Sequence, residues 1–317
     1  MKQCLFCGKP IEETPQKGQW HRLCSKKFFG TDIPPLVFLS KHNLESIASK
    51  AIGEGITLPG VQKKLPLTLV TEKGQHPRLT IGDTQAQTSY ILKLQSPEYA
   101  QLPEAEDLVM RMADAATITT VPHALLYLEN GTLAYITKRI DRKGKRRIAM
   151  EDFCQLSEKM TEDKYKGSYE MCAKLLQKWS SRPLLDVTNF YYLLLFSFVT
   201  GNSDMHLKNF SLIAESSESH ILAPAYDILP ANLILEEDKE EMALTLCGKK
   251  AKLQYTTFLQ LGEHLGLSEL VVHNLIKKLK GLEPTFMETI ATSFVSEGMK
   301  TRMRQLVSER LQRLSPQ

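Results

Sequence analysis

Three side chains past the middle of the chain have the types and spacing that phosphoryl transfer needs. The segment TGNSDMHLKNF places Asp204 and Asn209 five residues apart, directly after an apolar run. Phosphoryl transfer needs a carboxylate that orients the attacking hydroxyl, and oxygen ligands for the Mg²⁺ that neutralises the phosphates. Asp227, where the chain leaves a predicted hairpin, is a third candidate. The sequence therefore predicts Asp204 as the catalytic carboxylate, with Asn209 and Asp227 as magnesium ligands.

Each of these residues also has a purely structural interpretation, because Asn and Asp form local backbone hydrogen bonds and are common in loops. For one residue alone that interpretation would prevail. Three of them, in this order and downstream of a predicted nucleotide-binding region, favour the catalytic interpretation. His206 and Lys208 lie inside the same loop. We expect His206 to shape the loop or contact the γ-phosphate, and Lys208 to offset phosphate charge.

The elements that must position this loop follow a definite order. GEGITLPGVQKKLPLTLV predicts a glycine-containing loop and a strand, SYILKLQ predicts a strand that carries Lys93, and EAEDLVMRMADAA predicts a helix. Asn130-Gly131 joins two strand-like runs and is a strong hairpin signal. After Arg142 the pattern becomes helical, with helices predicted at 150–160, 168–179, 185–200, 255–265 and 267–280.

Taken in order, these motifs resemble the HipA family of serine/threonine kinases. GNSDMHLKNFSL and PAYDI resemble its catalytic and metal-binding loops, GVQKKLPL its phosphate loop, ILKL its ATP-lysine strand, LPEAEDL its glutamate helix and KRIDR its hinge. The sequence LTLCGKKAKL continues the resemblance. It implies an α+β, protein-kinase-like two-lobed fold of the HipA type, with a small strand-rich N-lobe and a larger helical C-lobe. It also implies ATP and Mg²⁺ as cofactors.

When the roles of the family's residues are assigned to the matching positions here, the resemblance implies that Lys93 holds the ATP phosphates and pairs with Glu106. Glu104 is a rival for that pairing, since both glutamates lie near a helix start, where the dipole favours carboxylates. A lysine that extends from an edge strand to water is the structural alternative for Lys93. The phosphate loop would contact the nucleotide through Thr57, Gly60, Val61, Gln62 and Lys63.

At the hinge, the resemblance implies that Arg139 and Ile140 flank the adenine. Asp152 or Gln155, in the first turn of the next predicted helix, would meet the ribose. Capping of that helix is an equally good account of Asp152. The basic run KRIDRKGKRR overlaps this hinge and is usually a solvated turn, although an acidic protein or RNA is an alternative contact.

Four residues near the start, Cys4, Cys7, His21 and Cys24, form the pattern C-x2-C-x13-H-x2-C. Two closely spaced pairs across one loop suit the four tetrahedral ligands of a structural zinc. A closed set of four ligands leaves no open position for catalysis. Free buried cysteines are the alternative interpretation, and it fits the remaining cysteines, Cys154, Cys172 and Cys247, better than these four.

Composition limits the remaining possibilities. The 317 residues are 42% apolar and 24% charged, as in an ordinary globular protein of about two domains. A net charge of +4 is too small to indicate nucleic-acid binding by itself. The start MKQCLFC lacks the features of a signal peptide, and the apolar run 190–200 is shorter than a membrane span. We therefore expect a cytoplasmic protein without membrane contact.

The sequence as a whole predicts a zinc-knuckle module at 1–30, a linker and helix at 31–50, the N-lobe at 51–142 and the C-lobe at 143–317. The resemblance implies a toxin of a toxin–antitoxin module, similar to short HipT-like members whose N-terminal subdomain is a separate small protein. It implies a protein substrate, with an aminoacyl-tRNA synthetase as a candidate. A helix-turn-helix antitoxin would be the partner, and DNA would be reached only through it.

Two alternatives stay open at this point. One is an inactive kinase fold that serves as a binding module in a repressor complex, against which the four residues Lys93, Asp204, Asn209 and Asp227 argue. The other is a small-molecule kinase, which also uses an aspartate and asparagine loop. A substrate screen separates the second alternative from a protein kinase.

Overall fold

The computed structural model describes residues 2–11, 19–37, 64–81, 88–144, 146–235 and 237–316. The chain divides into two compact units. Unit 1 comprises Met1–Asp107 and Val121–Arg147, and unit 2 comprises Leu108–Thr120 and Ile148–Gln317. Much of the predicted 31–50 linker lies outside the described residues.

Unit 1 is built on a six-stranded sheet with the order β1-β3-β2-β4-β6-β5 among the described strands. Strand β1 pairs parallel with β3, and the other neighbours pair antiparallel. The strands are β1 (Leu36–Val37), β2 (Lys64–Val70), β3 (Arg78–Ile81), β4 (Tyr90–Lys93), β5 (His123–Tyr127) and β6 (Leu133–Lys138). A two-stranded ribbon of β7 (Arg142–Lys143) and β8 (Arg146–Arg147) also belongs to this unit.

The alternation of side chains along these strands produces the core of unit 1. Leu65 and Leu67 in β2 and Leu92 in β4 are fully buried, as expected where side chains of period two line one face of a sheet. The predicted hairpin is present, because β5 and β6 pair around Asn130-Gly131. Gly131 has a φ of 80°, which glycine adopts without steric cost.

The cysteine-rich segment is part of unit 1 and contacts its sheet in two ways. The N–H of Leu125, in edge strand β5, donates to the Leu5 carbonyl over 3.0 Å. An aromatic cluster joins helix α1 (Arg22–Phe29) to the start of β4, with ring centroids no more than 6.0 Å apart between neighbours. Its members are Phe6, Trp20, Phe28, Phe29 and Tyr90.

The helix α2 (Leu102–Ala115) begins in unit 1 and ends in unit 2. The other helices among the described residues, apart from α1, belong to unit 2. They are α3 (Phe153–Leu156), α4 (Tyr169–Trp179), α5 (Pro183–Thr200), α6 (Ala231–Ile234), α7 (Tyr255–His264), α8 (Glu269–Gly281), α9 (Glu283–Ala291) and α10 (Glu297–Arg313). Short 3₁₀ turns occur at Thr161–Asp163 and Leu207–Asn209.

Helix α5 is the core helix of unit 2. Among the described residues it is the one helix long and apolar enough to cross a membrane, but 72% of that window is buried inside the fold. Its N-terminal end is anchored by Asp186, whose carboxylate accepts from Ser180 Oγ, Arg182 Nε and the Leu222 N–H over 2.6, 3.0 and 2.8 Å. A buried carboxylate needs such donors to offset the cost of desolvation.

A three-stranded sheet in unit 2 has the order β11-β10-β9. It contains β9 (Met150–Asp152), β10 (Ser211–Ala214) and β11 (His220–Leu222). The prediction of one helix over 150–160 is therefore wrong: Met150–Asp152 pair with β10, and α3 has only four residues. Pairing with a distant strand overrides local helical periodicity here. The register places Asp152 opposite Ser211, two residues after Asn209.

Gly201 ends α5 and starts the loop that carries Asp204. Its φ is 70°, in the left-handed region, and an added Cβ would lie 2.5 Å from the Leu306 side chain.

We expect Gly201→Ala to destabilise the chain by about 1–2 kcal/mol from the backbone conformation and by about 1 kcal/mol more from displacing Leu306. The matched control is Gly266→Ala, with φ +75° and nothing within 4 Å. Denaturant unfolding measures both, and equal losses would contradict a role for the Leu306 contact.

Candidate active site

The loop after α5 holds Asp204 and Asn209 together through hydrogen bonds of its own. The Asn209 amide Nδ2 donates to the Asp204 carbonyl over 2.8 Å, and the Asp204 N–H donates to Asn202 Oδ1 over 3.2 Å. Asn202 and Asn209 are both buried. Because Nδ2 of Asn209 is engaged by a carbonyl, its Oδ1 is the atom directed elsewhere as a candidate metal ligand.

The carboxylate of Asp204 has a partner that sequence reasoning missed. Tyr165 donates its hydroxyl to Asp204 Oδ1 over 2.7 Å. Burial and the Asp204 charge raise the pKa of Tyr165, so its hydroxyl stays protonated and donates. Tyr165 lies 39 positions before Asp204, in a segment without a recognisable motif, and no local signal in the sequence identifies it.

His206 packs against the same tyrosine, with ring centroids 5.0 Å apart and planes at 80°. It is 6% exposed, and its Nδ1 has no hydrogen-bond partner among the residues that the structure describes. Burial lowers the pKa of His206, while the charges of Asp204 and Asp227 oppose that shift. The imidazole is therefore neutral at neutral pH, which suits a residue that shapes the loop and does not suit a fixed positive charge.

Asp227 has an unusual backbone conformation. Its φ is 59°, in the left-handed region that costs a non-glycine residue about 1–3 kcal/mol. The preceding residues hold it in place: the Tyr226 hydroxyl is 2.6 Å from Ser211 Oγ and donates to the Lys208 carbonyl over 3.1 Å. The Ala225 N–H donates to the Thr119 carbonyl over 2.8 Å. Such strain, held by surrounding bonds, is typical of functional positions.

Lys208, Asp152 and Gln155 form one connected group. Lys208 Nζ donates to Asp152 Oδ2 over 2.8 Å, while Asp152 Oδ1 accepts from the Gln155 N–H over 2.8 Å. Gln155 Oε1 in turn accepts from the Asp152 N–H, which completes a capping box at the start of α3. The structure gives all three residues a structural role, and their contact with a nucleotide stays a prediction.

In unit 1, Lys93 and Glu106 form a buried ion pair. Lys93 Nζ lies 2.5 Å from Glu106 Oε1, and both side chains are at most 5% exposed. Lys93 also lies over the Tyr135 ring, 5.3 Å from its centroid. Glu104 Oε2 is buried without a hydrogen-bond partner among the described residues, and burial raises the pKa of Glu104. Of the two rivals, Glu106 is the glutamate paired with Lys93.

Arg139 at the predicted hinge is bound within its own unit. Its guanidinium donates to both oxygens of Asp141 over 3.0 and 2.8 Å and to Thr88 Oγ1 over 2.8 Å. Burial opposes ionisation of Asp141, but the Arg139 hydrogen bonds and charge lower the pKa of that carboxyl below its usual value. Ile140 is half-buried beside them. The predicted adenine contact of Arg139 and Ile140 stays a prediction.

The predicted phosphate-loop residues fall outside the described part of the chain. They are Thr57, Gly60, Val61, Gln62 and Lys63. Their nucleotide contacts are untested by the structure.

The Cys/His pattern near the start forms a compact cluster. The candidate ligand atoms of Cys4, Cys7, His21 and Cys24 all lie within 4.8 Å of one another. His21 Nδ1 is 3.3 Å from Cys7 Sγ and 3.6 Å from Cys24 Sγ. Zinc bonds of about 2.3 Å to sulfur and about 2.0 Å to nitrogen give tetrahedral ligand separations of about 3.6 Å. The donor set and spacing therefore fit one zinc ion.

The second ring nitrogen of His21 supports the same assignment. Nε2 lies 3.0 Å from the Pro10 carbonyl, which can only accept a hydrogen bond. The proton therefore belongs on Nε2, which leaves the Nδ1 lone pair directed at the sulfurs. A carbonyl that fixes the tautomer in this way is the usual outer contact of a zinc-binding histidine.

A family model described as "HipA-like C-terminal domain" matches residues 56–286, well over half of the chain. The chain belongs to the HipA-like family. The family match confirms the resemblance proposed from the catalytic-loop motif and the motifs upstream of it.

Two relatives and one solved structure extend this comparison. "Putative kinase Y4dM" of Sinorhizobium fredii is 33% identical over 231 residues, covering 68% of this chain and 55% of the relative. A "Putative kinase" of Haemophilus influenzae is 24% identical over 306 residues, covering 86% and 85%. The HipA structure from Shewanella oneidensis, solved with HipB and operator DNA, aligns with a TM-score of 0.67 at 18% identity.

The structural match covers 81% of this HipA-like chain and 64% of the Shewanella chain. It confirms the predicted α+β, kinase-like fold. The chain spans about half the length of Y4dM, so the activity and partners of the longer relatives come to this chain only as proposals.

The buried ion pair gives a stability prediction. We expect Lys93→Met to cost about 3–5 kcal/mol, because it removes the ammonium group that lies beside the buried Glu106 carboxylate. Lys93→Met combined with Glu106→Leu should recover most of that loss, since an apolar pair of similar size often replaces an ion pair at little cost.

The measurement is denaturant unfolding followed by the fluorescence of buried Trp20, in a Trp179→Phe background. Trp179 belongs to unit 2 and is 49% exposed, so its replacement leaves Trp20 as the reporter of unit 1. A double variant as unstable as the single variant would contradict this account of the pair.

Proposed function

We propose that this HipA-like chain is an ATP- and Mg²⁺-dependent kinase that transfers the γ-phosphoryl group to a serine or threonine hydroxyl of a protein. The observation that carries the proposal is the loop of unit 2. It ties Asp204 to Asn209 and Tyr165 and precedes a strained Asp227. The buried pair of Lys93 and Glu106 in unit 1 and the kinase names of the relatives support it.

Each residue has a specific part in this proposal. Asp204 accepts the hydrogen bond of the attacking hydroxyl, and Tyr165 holds that carboxylate in one orientation through its own hydroxyl. Asn209 supplies Oδ1, and Asp227 its carboxylate, to the Mg²⁺. Lys93, held by Glu106, neutralises phosphate charge. A bound Mg²⁺ would stabilise the negative charge that develops on the transferred phosphoryl group.

We further propose that this chain is the toxin of a toxin–antitoxin module. The Shewanella HipA was solved with HipB and operator DNA. We propose by analogy that this chain is held by a helix-turn-helix antitoxin, and reaches DNA only through it. From the resemblance to short HipT-like members, a separate small protein is also proposed as a partner. An aminoacyl-tRNA synthetase is the proposed class of substrate.

Labelled ATP added to a cell lysate tests the activity. We expect wild-type chain to label a protein on serine or threonine, and Asp204→Asn to lose transfer by about 10³-fold or more while keeping the fold and Mg²⁺·ATP binding. Asp163→Asn is a matched control on an acidic residue outside the loop, paired with Lys166, and it should label normally. Transfer by the Asp204→Asn variant at the wild-type rate would overturn the assignment.

The test also separates the alternatives. Labelling of aminoglycosides or other small molecules, with no labelled protein, would indicate a small-molecule kinase. Nucleotide binding without transfer to either class would indicate the binding-module alternative.

Asp227→Asn tests the metal role with little change in backbone, because asparagine tolerates the left-handed conformation better than most residues. We expect ATP affinity in the presence of Mg²⁺ to fall by about tenfold or more, with little change in its absence. A thermal-shift titration with ATP, with and without Mg²⁺, makes the comparison. Equal losses in both conditions would argue against a magnesium ligand at this position.

We also propose that Cys4, Cys7, His21 and Cys24 bind a structural zinc ion. The four ligand atoms cluster, and the tautomer of His21 fits. The ion would fix the segment whose Leu5 carbonyl accepts from the Leu125 N–H of edge strand β5. No open position is left for catalysis.

Removal of two ligands tests this zinc. Cys7→Ser with Cys24→Ser should lower tightly bound zinc by about one equivalent per chain, measured by elemental analysis. It should also speed amide exchange at Leu125, whose N–H loses a fixed acceptor. Cys154→Ser is the matched control, since its hydroxyl can keep the bonds that the thiol donates to the Lys159 and Met160 carbonyls. Unchanged zinc content would contradict the proposal.

A further inference from the structure

A second cluster of candidate metal ligands lies wholly within unit 2, whereas the cysteine-rich segment belongs to unit 1. It joins Glu170 in the first turn of α4, Cys247 in the LCGK turn and His264 at the end of α7. Their ligand atoms all lie within 4.8 Å of one another. The sequence pattern gives no hint of this cluster, because its members are 77 and 17 positions apart.

The spacing within the cluster suits a common metal ion. Cys247 Sγ is 3.8 Å from His264 Nδ1, and His264 Nδ1 is 3.8 Å from Glu170 Oε1. A tetrahedral zinc holds such sulfur and nitrogen atoms about 3.6 Å apart. Small side-chain movements would bring the three atoms to bonding distance of one ion.

The buried oxygen of Glu170 is the second observation. Its Oε1 accepts from the Cys247 N–H over 2.7 Å, but Oε2 is inaccessible and has no hydrogen-bond partner among the described residues. A carboxylate oxygen shielded from water and left without a donor is costly. A cation beside it would remove that cost.

Cys247 lies in a tight turn that leaves its side chain partly exposed. Cys247 has a φ of 49°, in the left-handed region, and Gly248 has a φ of 77°. A bridge between Leu246 and Lys249 closes the turn. Cys247 is half-buried, whereas Cys154 and Cys172 are buried. The interpretation of Cys247 as a buried core cysteine is therefore wrong, because the tight turn holds it at a partly exposed surface.

We propose that Glu170, Cys247 and His264 bind a Zn²⁺ ion through one carboxylate, one thiolate and one imidazole. The thiol releases its proton to solvent when the ion binds. Three protein ligands leave a fourth position for water or an external ligand, in contrast to the closed four-ligand cluster near the start of the chain. The three-ligand site is accordingly the weaker of the two.

The position of the site indicates what the ion would do. Glu170 follows Tyr169, whose buried hydroxyl donates to the Met205 carbonyl over 3.1 Å, next to Asp204. The Leu244 N–H donates to the same hydroxyl over 3.4 Å. Zinc would therefore fasten the 244–249 segment and α7 to the helix that supports the Asp204 loop. This inference does not depend on the proposed kinase activity.

A zinc titration of the full chain, already loaded with one tight equivalent, tests the site. We expect wild type to bind a second equivalent, with about tenfold or greater loss of affinity in Cys247→Ser, His264→Gln and Glu170→Gln. The last variant keeps the oxygen that accepts from Cys247. His273→Gln is the matched control, because His273 also lies beside a glutamate, 3.9 Å from Glu269, but belongs to no cluster of three candidate ligands among the described residues.

Cobalt gives an independent readout in the same protein. With the first site held by zinc, Co²⁺ should produce a thiolate charge-transfer band that Cys247→Ser removes and His273→Gln leaves intact. Unfolding in chelator shows whether each variant still folds. If wild type binds no zinc beyond the first equivalent, or if second-site affinity is unchanged in all three ligand variants, the proposal is overturned.

Discussion

The geometry of the candidate active site depends on where the buried helix α5 ends. Thirteen of its residues are buried, so the position of its last turn is set by packing and is not free to adjust. Gly201 then reverses the chain in a left-handed conformation, in space closed by Leu306. The loop that begins at this fixed point carries Asn202, Asp204 and Asn209. Their mutual hydrogen bonds restrict the conformation of the loop further.

The two units stabilise their buried and half-buried charged side chains in different ways. In unit 1, Lys93 and Glu106 are both buried, and each offsets the charge of the other. In unit 2, Asp204 is only half-buried and is held by a neutral tyrosine hydroxyl. That hydrogen bond keeps the carboxylate oriented, as the proposed contact with a substrate hydroxyl requires.

The cysteine-rich segment shows how a region with little core of its own can be held. Its aromatic residues pack on Tyr90, and its backbone supplies a carbonyl to the edge strand β5. An edge strand exposes unpaired N–H groups, and covering them protects the sheet from pairing with another chain. The same segment places three sulfurs and an imidazole within ligand distance. One short segment thus supplies both the contacts with the sheet and a candidate metal-binding cluster.

The sequence by itself determined the features that depend on local spacing. These features are the placement of Asp204 and Asn209 in one loop, the Asn130-Gly131 hairpin and the two closely spaced pairs of the Cys/His cluster. Their members are close enough along the chain for residue types and intervals to specify them. The family and the kinase-like fold also followed from these motifs in their order, and the comparisons confirmed both.

Tertiary structure decided everything that depends on partners distant in the chain. It brought Tyr165 to Asp204, chose Glu106 over Glu104 for Lys93, and used Asp152 with Gln155 as a helix cap. It also turned Met150–Asp152 into a strand and gathered Glu170, Cys247 and His264. The physical reason is common to all of them. Which side chains meet, and which polar atoms are left without water, is fixed only when separate elements pack together, and no local pattern encodes that.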